Sequence, residues 1–350
     1  MSAPAARDPV EVVRASLAGW EVPFVELAVF GTADAGAIVE QVDGFARRHL
    51  GAGVAGYLFC GASVGSTHGL VLADGRRVVL KARPPPDTNR DLPLGRAALA
   101  AIVEAQRFLV RHGFPCPAPI LGPEPLGHGL ATVEAYLGDG ALVDGHDPHG
   151  RRLIAATLCA HIEQLRGLGH PPPLRHFVVP EERLFPTPHS RLFQPSAADT
   201  GWVRDLARRA RSVTRAARSR AVLGHCDWRV EHLRFTGDRL VASYDWDSLS
   251  TRPEVCVVGV NAHGHTADWS QERVRRVPTC EGIVAFIADY EAARGAPFTA
   301  EERRAARAWA VYWIAYGAWI SIAPGDTDWP ADSWPALLRE CGEALLAPRL

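Results

Sequence analysis

The 350-residue sequence is nearly without lysine: among 38 Lys+Arg, the single lysine is Lys81 and every other basic residue is arginine. It also lacks an excess of charge, with 39 Asp+Glu giving a formal net charge of -1. That balance argues against a nucleic-acid partner, because neutralising a phosphate backbone takes a clear basic excess. Paired cysteines are missing too. The seven, Cys60, Cys116, Cys159, Cys226, Cys256, Cys280 and Cys341, are odd in number and scattered. None shows the two-residue spacing of a zinc or redox site, so free thiols in a reducing compartment are expected. No apolar run is long: Trp309 to Ala323 falls short of the ~20 residues of a spanning helix. Its Trp309, Tyr312, Trp313, Tyr316 and Trp319 recur at helical spacing, which predicts a buried core helix and no membrane role. The opening Met-Ser-Ala-Pro-Ala-Ala-Arg-Asp has no apolar stretch of a secretory signal, and a cytoplasmic protein is expected.

At 47% hydrophobic and 22% charged residues the composition is that of a globular chain, long enough for two packed lobes. Helices are predicted over 9–17 and 33–50, with Gly51 and Gly53 as stop signals. Short strands follow at 57–60, 67–73 and 77–82, the last two joined at Asp74-Gly75. A helix over 94–112 closes at Gly113 and the Pro115, Pro117, Pro119 cluster. Residues 130–137 read as another strand and 138–145 as a crossover. Beyond it the chain reads as mostly helical, with a proline-rich loop over 171–195 and one hairpin over 233–245. No internal repeat is present. The expected organisation is 1–137, a sheet-bearing lobe with an N-terminal helical extension, and 138–350, a helical lobe carrying the hairpin.

That hairpin is the most informative stretch: Gly224-His-Cys-Asp-Trp-Arg-Val-Glu-His232 on one side and Tyr244-Asp-Trp-Asp247 on the other, around Thr236-Gly237-Asp238. Folding about Gly237 places Asp227 near Asp247 and Arg229 near Asp245, so Asp227, Asp245 and Asp247 gather at one end. In an extended segment Asp245 and Asp247 would share a face. Close carboxylates repel unless a proton or cation sits among them, and a hard divalent metal suits such oxygens. The competing reading is a solvated loop end with unrelated acids.

Lys81 ends a strand and, folded about Asp74-Gly75, lies near His68. The loop before it, Gly61-Ala-Ser-Val-Gly-Ser66, is small enough for backbone N–H groups to approach a phosphate, to which the ammonium would add a compact point charge. An ordinary β-turn with a surface lysine is the alternative. Glu104, mid-helix, is the best-placed acid to pair with Lys81, though other helical acids could serve.

Loop, strand lysine, helix glutamate, hinge, His-x-Asp and a later Asp follow the order of parts in kinase-fold phosphotransferases. The details resemble the aminoglycoside phosphotransferase and choline kinase-like family. Gly224-His225-Cys226-Asp227 is similar to its catalytic His-Gly-Asp, and Tyr244-Asp245-Trp246-Asp247 to its metal-binding Ile-Asp-Trp-Glu/Asp. Residues 289–303 are similar to a helix–loop–helix of its C-lobe. The resemblance covers roughly residues 55 to 320 and implies a bilobal, α+β protein kinase-like fold with an antiparallel N-lobe sheet and a helical C-lobe. It further implies ATP, with GTP as the alternative, and Mg²⁺ as cofactors. By position, Gly61, Ser63, Gly65 and Ser66 would contact phosphates, and Lys81 would bind them with Glu104 steadying it. The hinge Glu134, Ala135 to Leu137 would meet the adenine. Asp227 would accept or orient a substrate hydroxyl, Arg229 would face the γ-phosphate or else pair with Glu231, and Asp245 with Asp247 would hold metal. The partner implied is a small-molecule hydroxyl acceptor, either an aminoglycoside-like antibiotic or an amino alcohol or sugar, bound by a monomer or weak homodimer.

One position departs from the family pattern. His232 stands where an Asn metal ligand is expected, and imidazole is a poorer Mg²⁺ ligand than an amide oxygen. A non-catalytic nucleotide-binding pseudokinase is therefore the second reading. A Cys–His hydrolase built on His225 and Cys226 is disfavoured because adjacent side chains diverge and no partner base is evident. A haloacid-dehalogenase-type phosphatase using Asp245 and Asp247 needs a downstream lysine, and the only lysine lies upstream. Acids (Asp268, Glu272, Glu281, Asp289) and indoles (Trp269, Trp313, Trp319) are the candidate acceptor contacts, each with helix surface or core as its plainer role. Seven arginines from Arg204 to Arg220 read as a solvated helix face that could attract an anionic acceptor.

Overall fold

The computed structural model describes residues 5–88, 94–169, 174, 181–188, 200–269, 276–323, 325–326 and 328–348. Most of the loop expected over 171–195, and Glu272, lie outside them. The chain divides into two compact units, Met1–Asp139 and Gly140–Leu350.

The first unit opens with three helices, α1 (Pro9–Ala18), α2 (Phe24–Phe30) and α3 (Ala35–Leu50). Asp8 and Asp34 cap the first and third by accepting from the Glu11 and Ala37 N–H groups, satisfying donors a helix start leaves open. Then come β1 (Val54–Ala62), β2 (Ser66–Leu72), β3 (Arg77–Arg83), α4 (Arg96–Arg111), β4 (Pro119–Leu126) and β5 (Gly129–Ala135). The strands form an antiparallel sheet in the order β1-β2-β3-β5-β4. Val29, Ile38, Val42 and Phe45 of the helices pack with Tyr57, Leu70, Leu80 and Val133 of the sheet in one core. Two elements escape pattern reading. The helix α2 is a single short segment ended by left-handed Gly31. Strand β4 carries Pro119, Pro123 and Pro125, tolerated because it is an edge strand whose outer N–H groups need no partner. The β2–β3 turn is Ala73-Asp74-Gly75, with Gly75 at φ 85° and the Leu72 N–H bonded to the Arg76 carbonyl. It sets Lys81 opposite Thr67, not His68.

The second unit holds α5 (Pro148–Leu165), α6 (Gly201–Ala216), β6 (Ala221–His225), β7 (Leu233–Thr236), β8 (Arg239–Ser243), β9 (Leu249–Pro253), α7 (Glu254–Gly264), α8 (Cys280–Arg294), α9 (Ala300–Ser321) and α10 (Trp334–Leu346). A capping box between Thr299 and Glu302 starts α9. Its aromatic stripe does turn inward, with Tyr312 and Tyr316 buried. Among the described residues no helix is long and apolar enough to cross a membrane. The expected single hairpin is two ladders. Outer β6–β9 keeps the register of a fold about Gly237, His225 opposite Leu249. Inner β7–β8 sets Leu233 opposite Ser243, where simple folding would put Val241. The mismatch is taken up by two loops, 226–232 and 244–248, and these carry the acids. Just beyond, the fully buried Glu254 accepts from Tyr290 Oη at 2.9 Å and pairs with Arg294 Nε at 3.0 Å and Arg220 Nη2 at 3.3 Å. This anchors the start of α7, a charge compensated well enough to be kept inside.

Candidate active site

In the first unit, Lys81 is buried on β3, its Nζ 3.2 Å from Glu134 Oε1. Register explains the pair: Val79 faces Glu134 across the β3–β5 ladder, so Lys81, two residues on, lies diagonal to Glu134 on the same face. Gln106 Nε2 of α4 donates to the other carboxylate oxygen at 3.0 Å. The expected Lys81–Glu104 pair is thus corrected. Glu104 lies on the outer face of α4, paired with Arg111 at 3.2 Å and Arg107 at 4.0 Å. The buried stripe of that helix is Leu99, Ile102, Val103, Gln106 and Leu109, and Glu104 falls on its opposite side. A lone glutamine inside an apolar stripe was the available signal for Gln106.

Glu134 is therefore a strand residue that holds the lysine and not a hinge residue. The Ala135 N–H is given to the Ala118 carbonyl and the Tyr136 N–H to the Arg77 carbonyl, and Leu137 follows half-buried. In the loop, Gly61 faces open space, whereas a Cβ on Gly65 would strike the Ala82 carbonyl and Arg83; glycine there serves close passage of β3. Ser63 is exposed, but Ser66 turns inward, its Oγ 3.0 Å from His68 Nε2 and 3.5 Å from Glu26. Its side chain is withdrawn from any loop ligand. Lys81 Nζ is the group that fits a phosphate best: it is buried with no well-directed hydrogen-bond acceptor, and an ammonium carries three donors.

In the second unit the two loops are hung on buried indoles. Asp227 precedes Trp228 and Asp245 precedes Trp246, both tryptophans fully buried with rings 6.0 Å apart. Trp228 Nε1 donates to the Ile154 carbonyl and Trp246 Nε1 to that of Ser243. Between them sits His225. Its Nδ1 accepts the Asp227 N–H at 3.0 Å, and Nε2 donates to the Tyr244 carbonyl at 3.1 Å, so one neutral ring ties both loops. Burial pushes His225 down to about 4. Asn261 completes the brace: Oδ1 accepts from the Trp228 N–H at 2.7 Å and Nδ2 donates to the His225 carbonyl at 2.8 Å. His161 Nε2 accepts the His225 N–H at 3.0 Å. Asn261 and His161 lie remote in sequence, and no motif marks them.

Three candidate groups converge on this scaffold. Ligand atoms of Asp227, His232 and Asp245 all lie within 4.8 Å of one another. Asp245 is the one non-glycine residue with positive φ among the described residues, at 60°, a strained backbone of the kind that marks a functional turn. That left-handed residue, followed by a helical turn at Trp246–Ser248, removes the extended segment that would have aligned Asp245 with Asp247. Asp247 is not among the three clustered donors. Arg229 Nη1 lies 3.1 Å from Asp227 Oδ1, and Nε lies 3.3 Å from Glu231 Oε2. Glu231 in turn accepts the Trp269 N–H at 3.1 Å. Burial, then the neighbouring Asp245, push the Asp227 carboxyl up, opposed by Arg229. His232 Nδ1 donates to the Asp227 carbonyl at 2.9 Å, which leaves Nε2 as the nitrogen with the lone pair. Two carboxylates and one imidazole of fixed tautomer fit a divalent ion of borderline softness such as Mn²⁺ at least as well as Mg²⁺.

Of the other candidate contacts, Trp269 is half exposed, with Arg276 stacked 4.8 Å over its ring. Asp268 is buried, Asp289 is paired to Arg151 at 2.8 Å, and Trp319 stacks on Phe185 at 4.8 Å.

No protein-family model matches the chain, and no curated protein matches it. Solved structures do. An amicoumacin kinase in complex with AMP-PNP, Ca²⁺ and Ami superposes with a TM-score of 0.52 at 12% identity, over 80% of this chain and 85% of that one. A choline/ethanolamine kinase family protein from Mesorhizobium loti gives 0.50 at 17%, over 88% and 95%. At such identities the likeness establishes the fold, the bilobal α+β kinase-like architecture expected from the sequence.

Proposed function

We propose that this chain is a small-molecule O-phosphotransferase that moves the γ-phosphoryl group of ATP to a hydroxyl of its acceptor. The observation that carries the reading is the convergence of Asp227, His232 and Asp245 within 4.8 Å, braced by a neutral histidine that ties both loops. Asp227, its carboxyl pushed up by burial, would orient the acceptor hydroxyl and take its proton. Asp245 and His232 would hold a divalent cation, Mg²⁺ or Mn²⁺, which when bound neutralises charge on the phosphates. Lys81, steadied by Glu134 and Gln106, would bind the α/β phosphates. Arg229 would offer a guanidinium to the charge that spreads over the transferring group. The likeness to an amicoumacin kinase and to a choline/ethanolamine kinase family protein favours an aminoglycoside-like antibiotic or an amino alcohol or sugar as acceptor.

ATP consumption with Mg²⁺ or Mn²⁺, screened against aminoglycosides, macrolides, amino alcohols and sugars, tests the reading. Turnover with at least one class is expected. ATP-induced thermal stabilisation without turnover on any would replace it with the pseudokinase.

The lysine partners give a sharper comparison. In nucleotide titrations followed by melting temperature, Lys81→Met is expected to abolish ATP-induced stabilisation, since it removes a charge-assisted phosphate contact. Glu134→Gln should weaken ATP by about tenfold, ~1.4 kcal/mol, through loss of lysine positioning. Glu104→Gln should change nothing, its carboxylate being an exposed partner of Arg111. Equal losses in the two glutamine variants would reject the assignment of Glu134.

A further inference from the structure

The guanidinium of Arg229 lies among the donors of the cluster. Besides its contact to Asp227 at 3.1 Å, its Nη2 is 3.3 Å from His232 Nε2. That nitrogen carries the only lone pair of the ring, because Nδ1 is committed as donor to the Asp227 carbonyl. One lone pair serves one partner, either a hydrogen bond from Arg229 or a bond to a metal ion. A cation ligated by His232 and Arg229 as it stands therefore exclude each other. The geometry points to Arg229 as an internal counter-cation, which holds Asp227 and His232 while no divalent ion is bound and must release His232 when one enters.

The inference rests on the phosphotransferase reading only in taking a divalent cation as the entering ligand. Its physical basis is competition with a tethered group. Arg229 is part of the chain and is present at a high effective concentration, so a free ion has to displace it. Its place after release is already built: Glu231 lies 3.3 Å from Arg229 Nε and is itself fixed by the Trp269 N–H. A nucleotide arriving with the ion would offer phosphate oxygens that a guanidinium binds in paired fashion, which makes the exchange favourable. Metal binding is thereby coupled to nucleotide binding, and the nucleotide-free protein holds metal only weakly.

Mn²⁺ added to nucleotide-free protein tests this, with bound ion read from loss of the free-ion electron paramagnetic resonance signal. Wild type should bind weakly and show no nitrogen modulation from a ligated imidazole. Arg229→Gln should bind at least about tenfold tighter, the gain from removing a tethered competitor, and should show that modulation. Adding His232→Asn should remove the modulation, and adding Asp245→Asn should remove the binding. Arg229→Lys keeps the charge but replaces two separated nitrogens by one, and should also bind tighter than wild type; it stands in if the glutamine variant does not fold. Nucleotide-free wild type that binds Mn²⁺ as tightly as Arg229→Gln, or with imidazole already ligated, overturns the inference. So does Arg229→Lys behaving like wild type, which would assign the effect to charge alone. A wild type that follows the expected Mn²⁺ pattern yet transfers no phosphate removes the proposed activity and leaves this inference intact.

Discussion

Asp227→Asn should lower ATP-dependent phosphoryl transfer by about 10³-fold, within the range general-base groups contribute, while ATP still raises the melting temperature. The two readouts separate because Asp227 would handle the acceptor hydroxyl, whereas the nucleotide is held by other groups. Asparagine keeps the shape, and the loop is fixed through main-chain atoms of Asp227: its N–H to His225 Nδ1 and its carbonyl from His232 Nδ1. What is lost is the proton acceptor and one ionic partner of Arg229. An amide cannot take the hydroxyl proton at any accessible pH, so raising the pH should not restore the rate. Asp227→Asn turning over at the wild-type rate would remove Asp227 from the chemistry. Wild type that binds ATP and transfers nothing would make the whole question one of a binding module.

Acidification from about pH 7.5 to about pH 5 should destabilise the fold by several kcal/mol, through histidines that are neutral inside it. His68, His225 and His265 are fully buried. Burial pushes His68 and His225 down to about 4 and His265 to about 3, and His161 moves the same way. In the unfolded chain each returns to the ordinary histidine value near 6.5. Between that value and the folded one the unfolded state binds more protons, so stability falls as pH falls, by about 1.4 kcal/mol per pH unit for each ring. Glu26 and Asp227, both raised by burial, act in the opposite sense and offset part of the slope. Chemical denaturation across that range measures the slope, and His265→Asn should reduce it by about one histidine's share. A stability flat down to pH 5 would mean that these rings are protonated in the folded protein.

Several elements were legible because local chemistry decides them. Gly51 as a stop and the periodic stripe over Trp309 to Trp319 both act within a few residues of themselves. The acids at 227 and 245 were legible for a similar reason: glycine at 237 and apolar runs on both sides bring the chain back on itself. Strand β4 was not, since five prolines between Pro115 and Pro125 read as loop until an edge position makes them harmless. The partner of Lys81 was sought on the helix, while a diagonal sheet neighbour supplied it. Asp247 was grouped with Asp245 on the premise of an extended backbone that left-handed Asp245 breaks.

Sequence by itself determined which chemistry this protein can carry. A solitary lysine in an arginine-built chain, paired Asp-Trp steps and a histidine at 232 are covalent facts that no folding alters. Tertiary structure decided which of these groups meet. Glu134 or Glu104, His232 or Asp247, Arg229 facing Asp227 or Glu231 or both: each was settled by register shifts and loop turns of one or two residues. Such a slip moves a side chain to the opposite face of a strand or helix, yet costs nothing that a local pattern can reveal.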